Sequence, residues 1–350
     1  MGAKKTSCTI LYNLVGEDEF EHLRRVDPST LPFEPEYPID VKTAVEEYAE
    51  IAKALKDEGF KVELCNLEDN LARVQQFFSC EAPDVIFNLV ELFGGDPGLE
   101  SAVTGVFDLC GIPYTGATPF TLALCQRKVL TKHILRSRRI ATPKFKLLRS
   151  SAIPKRHDLR YPIMVKPASE DASLGVEAAS VVYDFTQLSA RVSEVYERFE
   201  QPVLIEEFIE GREFHVSVFG NRPPAVLPIL EYDFSALPEN HPPIITYDVK
   251  WNPLTLAYHS VHSRCPAELT RKVEGDIKSA ALQAYAATYC RDYARVDVRL
   301  SKEGRPYVLE VNPNPDLTEG VSFMESAEKA GLSFSQTLKQ IVEFALARRP

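Results

Sequence analysis

The sequence predicts an α/β protein, built from a mostly parallel α/β layer followed by two units of mixed helix and strand. Three observations carry this expectation. Strand-like and helix-like runs alternate through residues 1–115, the order that yields a parallel sheet with helices packed on it. Residues 116–205 interleave long helical stretches with separate β-rich runs. Residues 206–350 are richer in strands and include two β-rich runs flanking a short polar stretch with Gly304, a hairpin signal.

The elements follow in order. TILYNLV reads as a first buried strand. It follows two lysines but is too short, and too soon followed by Glu17, Asp18 and Glu19, to be a signal peptide. Asp40 is placed to cap a helix running to Asp57, because Val41, Ala44, Val45, Tyr48, Ala52 and Leu55 follow helical spacing and Gly59 suits its end. FKVELCNL is the next strand. A helix over 71–78, the strand DVIFNLV, a helix from Leu99 and a short strand before Tyr114 complete the layer. The second unit reads as a helix over 120–138, the strand YPIMVKP, a helix over 185–199 and the strand PVLIEEFI. The third reads as the strands REFHVSVFG and AVLPILEYDF, a loop over 233–243, a helix over 267–289, the hairpin ARVDVRL-SKEGR-PYVLEVN and a closing helix over 334–346.

Composition excludes several classes. A net charge of -10 disfavours binding to nucleic acid, which needs lysines and arginines to displace counterions from phosphates. No segment approaches the roughly 18 consecutive apolar residues of a membrane helix. The seven cysteines are widely spaced and form no C-x-x-C, which suits free thiols in a reducing, cytoplasmic compartment rather than a disulfide framework or zinc cluster. No G-x-G-x-x-G follows any predicted strand, so a dinucleotide site is unsupported.

The hairpin is the most informative place in the chain. With its turn centred between Glu303 and Gly304, Asp297 faces Glu310 and Arg295 faces Asn312. Two carboxylates, an amide oxygen and a guanidinium then share one patch. Such oxygens suit magnesium, which takes oxygen ligands alongside substrate phosphates, and the arginine would stabilise developing negative charge. The same residues would also make a solvated cross-strand charge cluster.

YARVDVRLSKEGRPYVLEVNPNP resembles the metal-binding hairpin of D-alanine–D-alanine ligases and related ATP-grasp enzymes. The likeness continues in order over 111–346. GIPYTGATPFTLALCQRKVLTKHIL is similar to the segment entering the central domain, YPIMVKPASEDASLGV to the lysine strand and phosphate loop, and LIEEFIEGREFHVSVFGN to the hinge strand. YDVKW with CPAEL is similar to the mobile loop, and AEKAGLSFSQTLKQIVEFAL to the C-terminal helix. The resemblance implies an ATP-grasp fold in which two α+β subdomains clamp ATP behind an N-terminal parallel α/β domain. It implies that Lys128, Lys166 and Lys250 contact phosphates, that Glu206 accepts from the adenine amino group beside the backbone of Phe208 and Ile209, and that Glu213 binds the ribose. Ser173 and Gly175 belong to the phosphate loop; Asp297, Glu310 and Asn312 would hold Mg2+, or Mn2+ in its place; Arg295 would stabilise the intermediate. The implied reaction activates a carboxylate as an acyl-phosphate for attack by an amine, in a homodimer acting on small molecules.

The chain departs from the family at the amino-acid pocket. The phosphate loop reads Glu170-Asp171-Ala172-Ser173-Leu174-Gly175 in place of E-G-S-S-x-G, Trp251 replaces the mobile-loop tyrosine, and Pro315-Asp316-Leu317-Thr318 replaces P-G-M-T. The usual H-G is absent, with Asn88-Leu89 and Phe93-Gly94-Gly95-Asp96-Pro97 in its region. Either Asp171 and Asp316 repel a second substrate that carries a carboxylate, or both point to water. Glu17 or Glu19 would meet the first substrate's amino group, or be loop charges. Two alternatives stand beside an amino-acid ligase: an ATP-grasp ligase using a non-amino-acid carboxylate or a thiol acceptor, and a catalytically silent ATP-binding regulatory protein.

Overall fold

The computed structural model describes residues 5–16, 21, 23–35, 39, 41–79, 82–154, 157–170, 173–239 and 241–348. Strands β1 (Ser7–Tyr12), β2 (Lys61–Asn66) and β3 (Val85–Asn88) form a parallel sheet in the order β2-β1-β3. Helices α1 (Ala44–Asp57), α2 (Leu71–Ser79) and α3 (Glu100–Cys110) connect and extend it. The expected cap Asp40 lies outside the described residues; the helix is capped by Thr43, whose hydroxyl accepts from Glu46 N while Glu46 reaches back to Thr43 N. The strand expected before Tyr114 is a single bridge to Ile86.

Alternation along β1 sends Ile10 to one face and Leu11 to the other. Leu11 packs with Ile86, Val103 and Phe107 beneath α2 and α3. Ile10 packs with Leu55 of α1 and with Leu338, Ile341 and Val342 of the closing helix, so distant parts of the chain share one core.

The predicted helix over 120–138 is two helices, α4 (Pro119–Gln126) and α5 (Lys128–Ser137), broken at Arg127, whose φ of -85° and ψ of 81° leave the helical region. Strands β4 (Phe145–Leu148), β5 (Ile163–Pro167), β6 (Val181–Val182) and β7 (Val203–Glu207) form an antiparallel sheet in the order β4-β7-β5-β6. Helix α6 (Phe185–Phe199) covers one face through Leu188, Val192 and Val195 against Ile163, Val165, Val203 and Ile205. The other face carries Met164, Lys166 and Glu206 into a cleft.

The largest sheet is antiparallel. It contains β8 (Gly211–Phe219), β9 (Ala225–Val226), β10 (Leu230–Asp233), β11 (His262–Arg264), β12 (Tyr293–Ser301) and β13 (Pro306–Asn312), in the order β11-β10-β8-β12-β13 with β9 on β8. The run AVLPILEYDF is therefore two strands, since Pro228 between them has no N–H to donate to a ladder. Two short helices, α7 (Tyr247–Trp251) and α8 (Leu256–His259), lie between β10 and β11. Helix α9 (Arg271–Ala287) covers one face of this sheet through Ile277, Ala281 and Ala284 against Phe214, Val216, Val296 and Val298. Helices α10 (Ser322–Lys329) and α11 (Phe334–Leu346) then bring the chain back to the first sheet.

The hairpin has the expected pairs, Arg295 opposite Asn312 and Asp297 opposite Glu310, but reaches them differently. Beyond Asp297 the register shifts, so that Val298 faces Val308 and Leu300 faces Pro306. The turn thus sits half a residue earlier than predicted, and a bulge at Leu309 restores the register at the site. The bulge is required: strict alternation would put Val308 and Glu310 on one face, whereas Val308 lies in the α9 core and Glu310 lines the cleft.

One buried charge joins the units. Asp292 is fully buried; it accepts from Gly116 N at 2.9 Å and Asn221 Nδ2 at 3.0 Å, and pairs with Arg348, which donates to Tyr114 O at 2.6 Å. Asp292→Ala should strand Arg348 and these donors, lowering unfolding stability by about 3–5 kcal/mol in a denaturant titration.

Candidate active site

Two sheets face each other across a cleft of about 940 Å3, solvent-open space included. From the four-stranded sheet come Met164, Lys166 and Glu206; from the largest sheet come Glu213, His215, Arg295, Asp297, Arg299, Glu310 and Asn312. Period two explains the second set. On β12 the odd positions Arg295, Asp297 and Arg299 face the cleft, while Val296, Val298 and Leu300 face α9. On β8 Glu213 and His215 do the same, and the register sets Arg299 opposite Glu213 and Asp297 opposite His215.

Charge pairing fixes these side chains. Arg295 donates to both oxygens of Asp297, Nε to Oδ1 at 2.7 Å and Nη2 to Oδ2 at 3.0 Å. Asn312 Nδ2 donates to Asp297 Oδ2 at 3.0 Å. Lys128 Nζ lies 3.6 Å from Glu310 Oε2. Arg299 lies 3.1 Å from Glu213, donates to Gly211 O and Pro243 O, and stacks on the Phe208 ring with its centre 4.5 Å away. Gly211 adopts a φ of 145° there, and a Cβ on it would sit 2.0 Å from Leu300 O.

Glu206, expected to present its carboxylate to a base, is held by two lysines. Oε1 lies 2.8 Å from Lys166 Nζ and Oε2 lies 2.7 Å from Lys132 Nζ. The second contact is an ion pair off hydrogen-bond angles, while Lys132 donates to Thr142 Oγ1 at 3.0 Å. Burial pushes the Glu206 carboxyl up, but Lys132 and Lys166 more than offset it and leave it below the ordinary range. Phe208 N–H donates to Pro162 O, and Phe208 and Ile209 both line the cleft. For Glu310, burial is likewise overcome by Lys128 and Lys166, and its pKa falls. Glu213 behaves oppositely: burial, aided by Asp297 and Glu310 and only partly countered by Arg299, raises it to about 7.

The covering loops meet above the cleft. Ser173 has a left-handed φ of 64°, and its hydroxyl donates to Ile245 O at 3.2 Å. Tyr247 N donates to Val176 O at 3.1 Å. Gly175 is confined by Pro167 and Phe199, since a Cβ would lie 2.6 Å from Pro167 Cγ. The predicted mobile loop is the short helix α7, capped by Thr246, and it carries Lys250 and Trp251. The Lys250 ammonium lies 4.7 Å from the Trp251 ring centre. Its pKa is lowered by burial and by Arg295, against the opposing pull of Asp297, Asp316 and Glu310. Asp316 closes its own turn by accepting from Thr318 N at 2.8 Å. Glu17 and Asp171 lie outside the described residues.

Three residues missed by the sequence reading belong to this site: Lys132, His215 and Arg299. Each had a positional signal. Lys132 is one helical turn beyond Lys128, and His215 and Arg299 are two residues beyond Glu213 and Asp297 on strands. His215 lies 3.6 Å from Asp297 Oδ1 and 3.3 Å, through Nδ1, from the Tyr232 hydroxyl. Burial, then Arg295 and Lys250, push it well below its usual value.

Among the described residues, no group of three His, Cys, Asp or Glu side chains forms a metal cluster. The donor set Asp297, Glu310 and Asn312 nevertheless fits a hard cation: two opposed carboxylates and an amide that offers its oxygen once turned about its last bond. No helix among the described residues is long and apolar enough to cross a membrane.

The cleft between two antiparallel sheets, in which lysines and arginines alternate with carboxylates, Lys128 beside Glu310 and Lys166 beside Glu206, is that of an ATP-grasp ligase, an enzyme that forms C–N bonds. The family model described as "D-ala D-ala ligase C-terminus" matches residues 134–343. A D-alanine–D-alanine ligase of Desulforudis audaxviator is 31% identical over 302 residues, covering 85% of this chain and 92% of that one. An uncharacterised protein of Sinorhizobium fredii is 32% identical over 303 residues, covering 85% and 87%. The crystal structure of the Bacillus anthracis D-alanine–D-alanine ligase complexed with ATP superimposes with a TM-score of 0.73 at 24% identity, covering 99% of each chain. The chain belongs to the D-alanine–D-alanine ligase family.

The raised pKa of Glu213 has a measurable consequence. Its carboxyl titrates near 7 in the folded protein and lower when unfolded, so the folded state binds the extra proton between those values. Its contribution to stability is present at low pH and is lost as pH rises toward about 7. Glu213→Gln should remove this dependence: its melting temperature, compared with the parent's, should improve from about pH 5 to about pH 8.

Proposed function

We propose that this chain uses Mg-ATP to join a small-molecule carboxylate to an amine through an acyl-phosphate, releasing ADP and phosphate. The observation that carries this reading is the shared cleft of Lys128, Lys166, Lys250, Arg295, Asp297, Glu310 and Asn312, which a mere nucleotide-binding module would not need in full. Lys128 and Lys166 contact the nucleotide phosphates, and Lys250 reaches the γ-phosphate from α7. Glu206, Phe208 and Ile209 border the base, and Glu213 meets the ribose. Asp297, Glu310 and Asn312 hold magnesium, or manganese in its place. Bound magnesium supplies the positive charge that offsets repulsion between phosphate and carboxylate. Arg295, released from Asp297, stabilises negative charge on the tetrahedral intermediate. The Ser173–Ile245 and Tyr247–Val176 contacts hold the covering loops together and exclude water from the acyl-phosphate.

The acceptor is where this chain parts from the D-alanine enzymes. Burial and Arg295 lower the Lys250 pKa, and Asp316 is one of the carboxylates that pull against them, so it contributes negative charge beside the reacting end. Trp251, engaged with Lys250, offers an indole N–H in place of a hydroxyl. The reading that follows is a second substrate with a cationic or carboxylate-free end. Family resemblance and charge support a cytoplasmic homodimer with no nucleic-acid or membrane partner.

The test is ADP release by the purified protein with Mg-ATP against pooled D- and L-amino acids and simple amines, with products weighed by mass spectrometry. A product equal in mass to two components minus water is expected. Asp297→Ala should cut turnover about a hundredfold or more. Asp316→Gly should shift acceptor preference toward amines that carry a carboxylate; an unchanged preference would remove the role given to Asp316.

A further inference from the structure

Lys132 is only 1% exposed, yet it stands outside the set of lysines assigned to phosphate. Helix α5 places it one turn after Lys128, on the same face. Lys128 is directed to Glu310 at the metal end of the cleft, and Lys132 to Glu206 at the base end. Its surroundings are spare: Thr142 Oγ1 at 3.0 Å, the Phe145 ring with its centre 5.9 Å away, and the Glu206 carboxylate at 2.7 Å. A buried ion pair of this kind is a weak source of stability compared with apolar side chains of the same volume. Its value here is geometric.

Glu206 is 3% exposed and has a lysine on each oxygen. Lys166 is also assigned to the phosphates in the proposed function, so it would be shared between Glu206 and a nucleotide. Lys132 has no such second duty. A carboxylate offers about four acceptor positions, so two lysines leave room for a ligand donor. We propose that Lys132 is a positioning residue of the base pocket, anchoring Glu206 so that its free acceptor positions face the amino group of adenine. This rests on the reading of Glu206 as the acceptor for that group. Through Glu206, Lys132 sets the preference for a purine bearing an amino group over one lacking it.

The experiment measures binding of Mg-ATP and of Mg-purine riboside triphosphate, which lacks the amino group, by calorimetry on the full chain. The parent should favour ATP by at least about tenfold, the scale of a hydrogen bond to a charged acceptor. Glu206→Gln and Lys132→Met should each collapse this ratio toward unity, and the double variant should lower it no further. Should Lys132→Met fail to fold, Lys132→Gln, which keeps a donor without the charge, is measured in the same way and should lose most of the preference. A purely structural lysine would weaken both nucleotides by the same factor and leave the ratio intact, which overturns the proposal. A parent that does not distinguish the two nucleotides would overturn the reading of Glu206 itself, and the role of Lys132 with it.

Discussion

Most charges on the two cleft faces are buried, with Glu310 only half-buried, and each buried one needs an opposite charge beside it. That requirement organises the structure. An uncompensated buried ion costs several kcal/mol, comparable to a large part of a domain's net stability. The sheets satisfy it with short-range geometry: Arg295 with Asp297 two residues along a strand, Arg299 with Glu213 across a ladder, and Lys166 and Lys132 around Glu206. The same pairing fixes these side chains relative to one another and to the two sheets that carry them.

The bulge at Leu309 shows how closely this network depends on backbone detail. A regular strand would have to choose between filling the α9 core with Val308 and facing the cleft with Glu310. One extra residue satisfies both. It also puts Leu309 into the cleft, giving an otherwise charged surface an apolar patch.

Much of the fold was legible because its signals are local. The helices over 185–199 and 334–346 were read to the residue, because apolar spacing and a capping Asp184 or Ser333 coincide with their starts. The opposed pairs of the hairpin were also correct, although the turn was misplaced and the bulge unseen; the two displacements cancelled at Asp297. What stayed hidden required contacts distant in sequence. The break at Arg127 and the short strand Phe145–Leu148 have weak local patterns. Lys132 meets Glu206 only because β7 packs against α5, a contact distant in sequence. His215 carries only the period-two signal from Glu213, and it meets Asp297 through the register between β8 and β12. The roles of individual site residues came from resemblance; Lys128, Lys166, Ser173, Glu206, Phe208, Ile209, Glu213, Lys250, Arg295, Asp297, Glu310 and Asn312 line one cleft, and Trp251 and Asp316 are not among its lining residues.

The return of α11 to the first sheet has a consequence for how the chain is made. Ile10 and Phe87 leave the ribosome hundreds of residues before Leu338 and Ile341, which complete their side of the core. During synthesis that face of the nascent sheet is covered only in part, by α1, while the opposite face can be closed at once by α2 and α3. One side of the first sheet is therefore complete early in synthesis, and the other is completed only when α11 has been made.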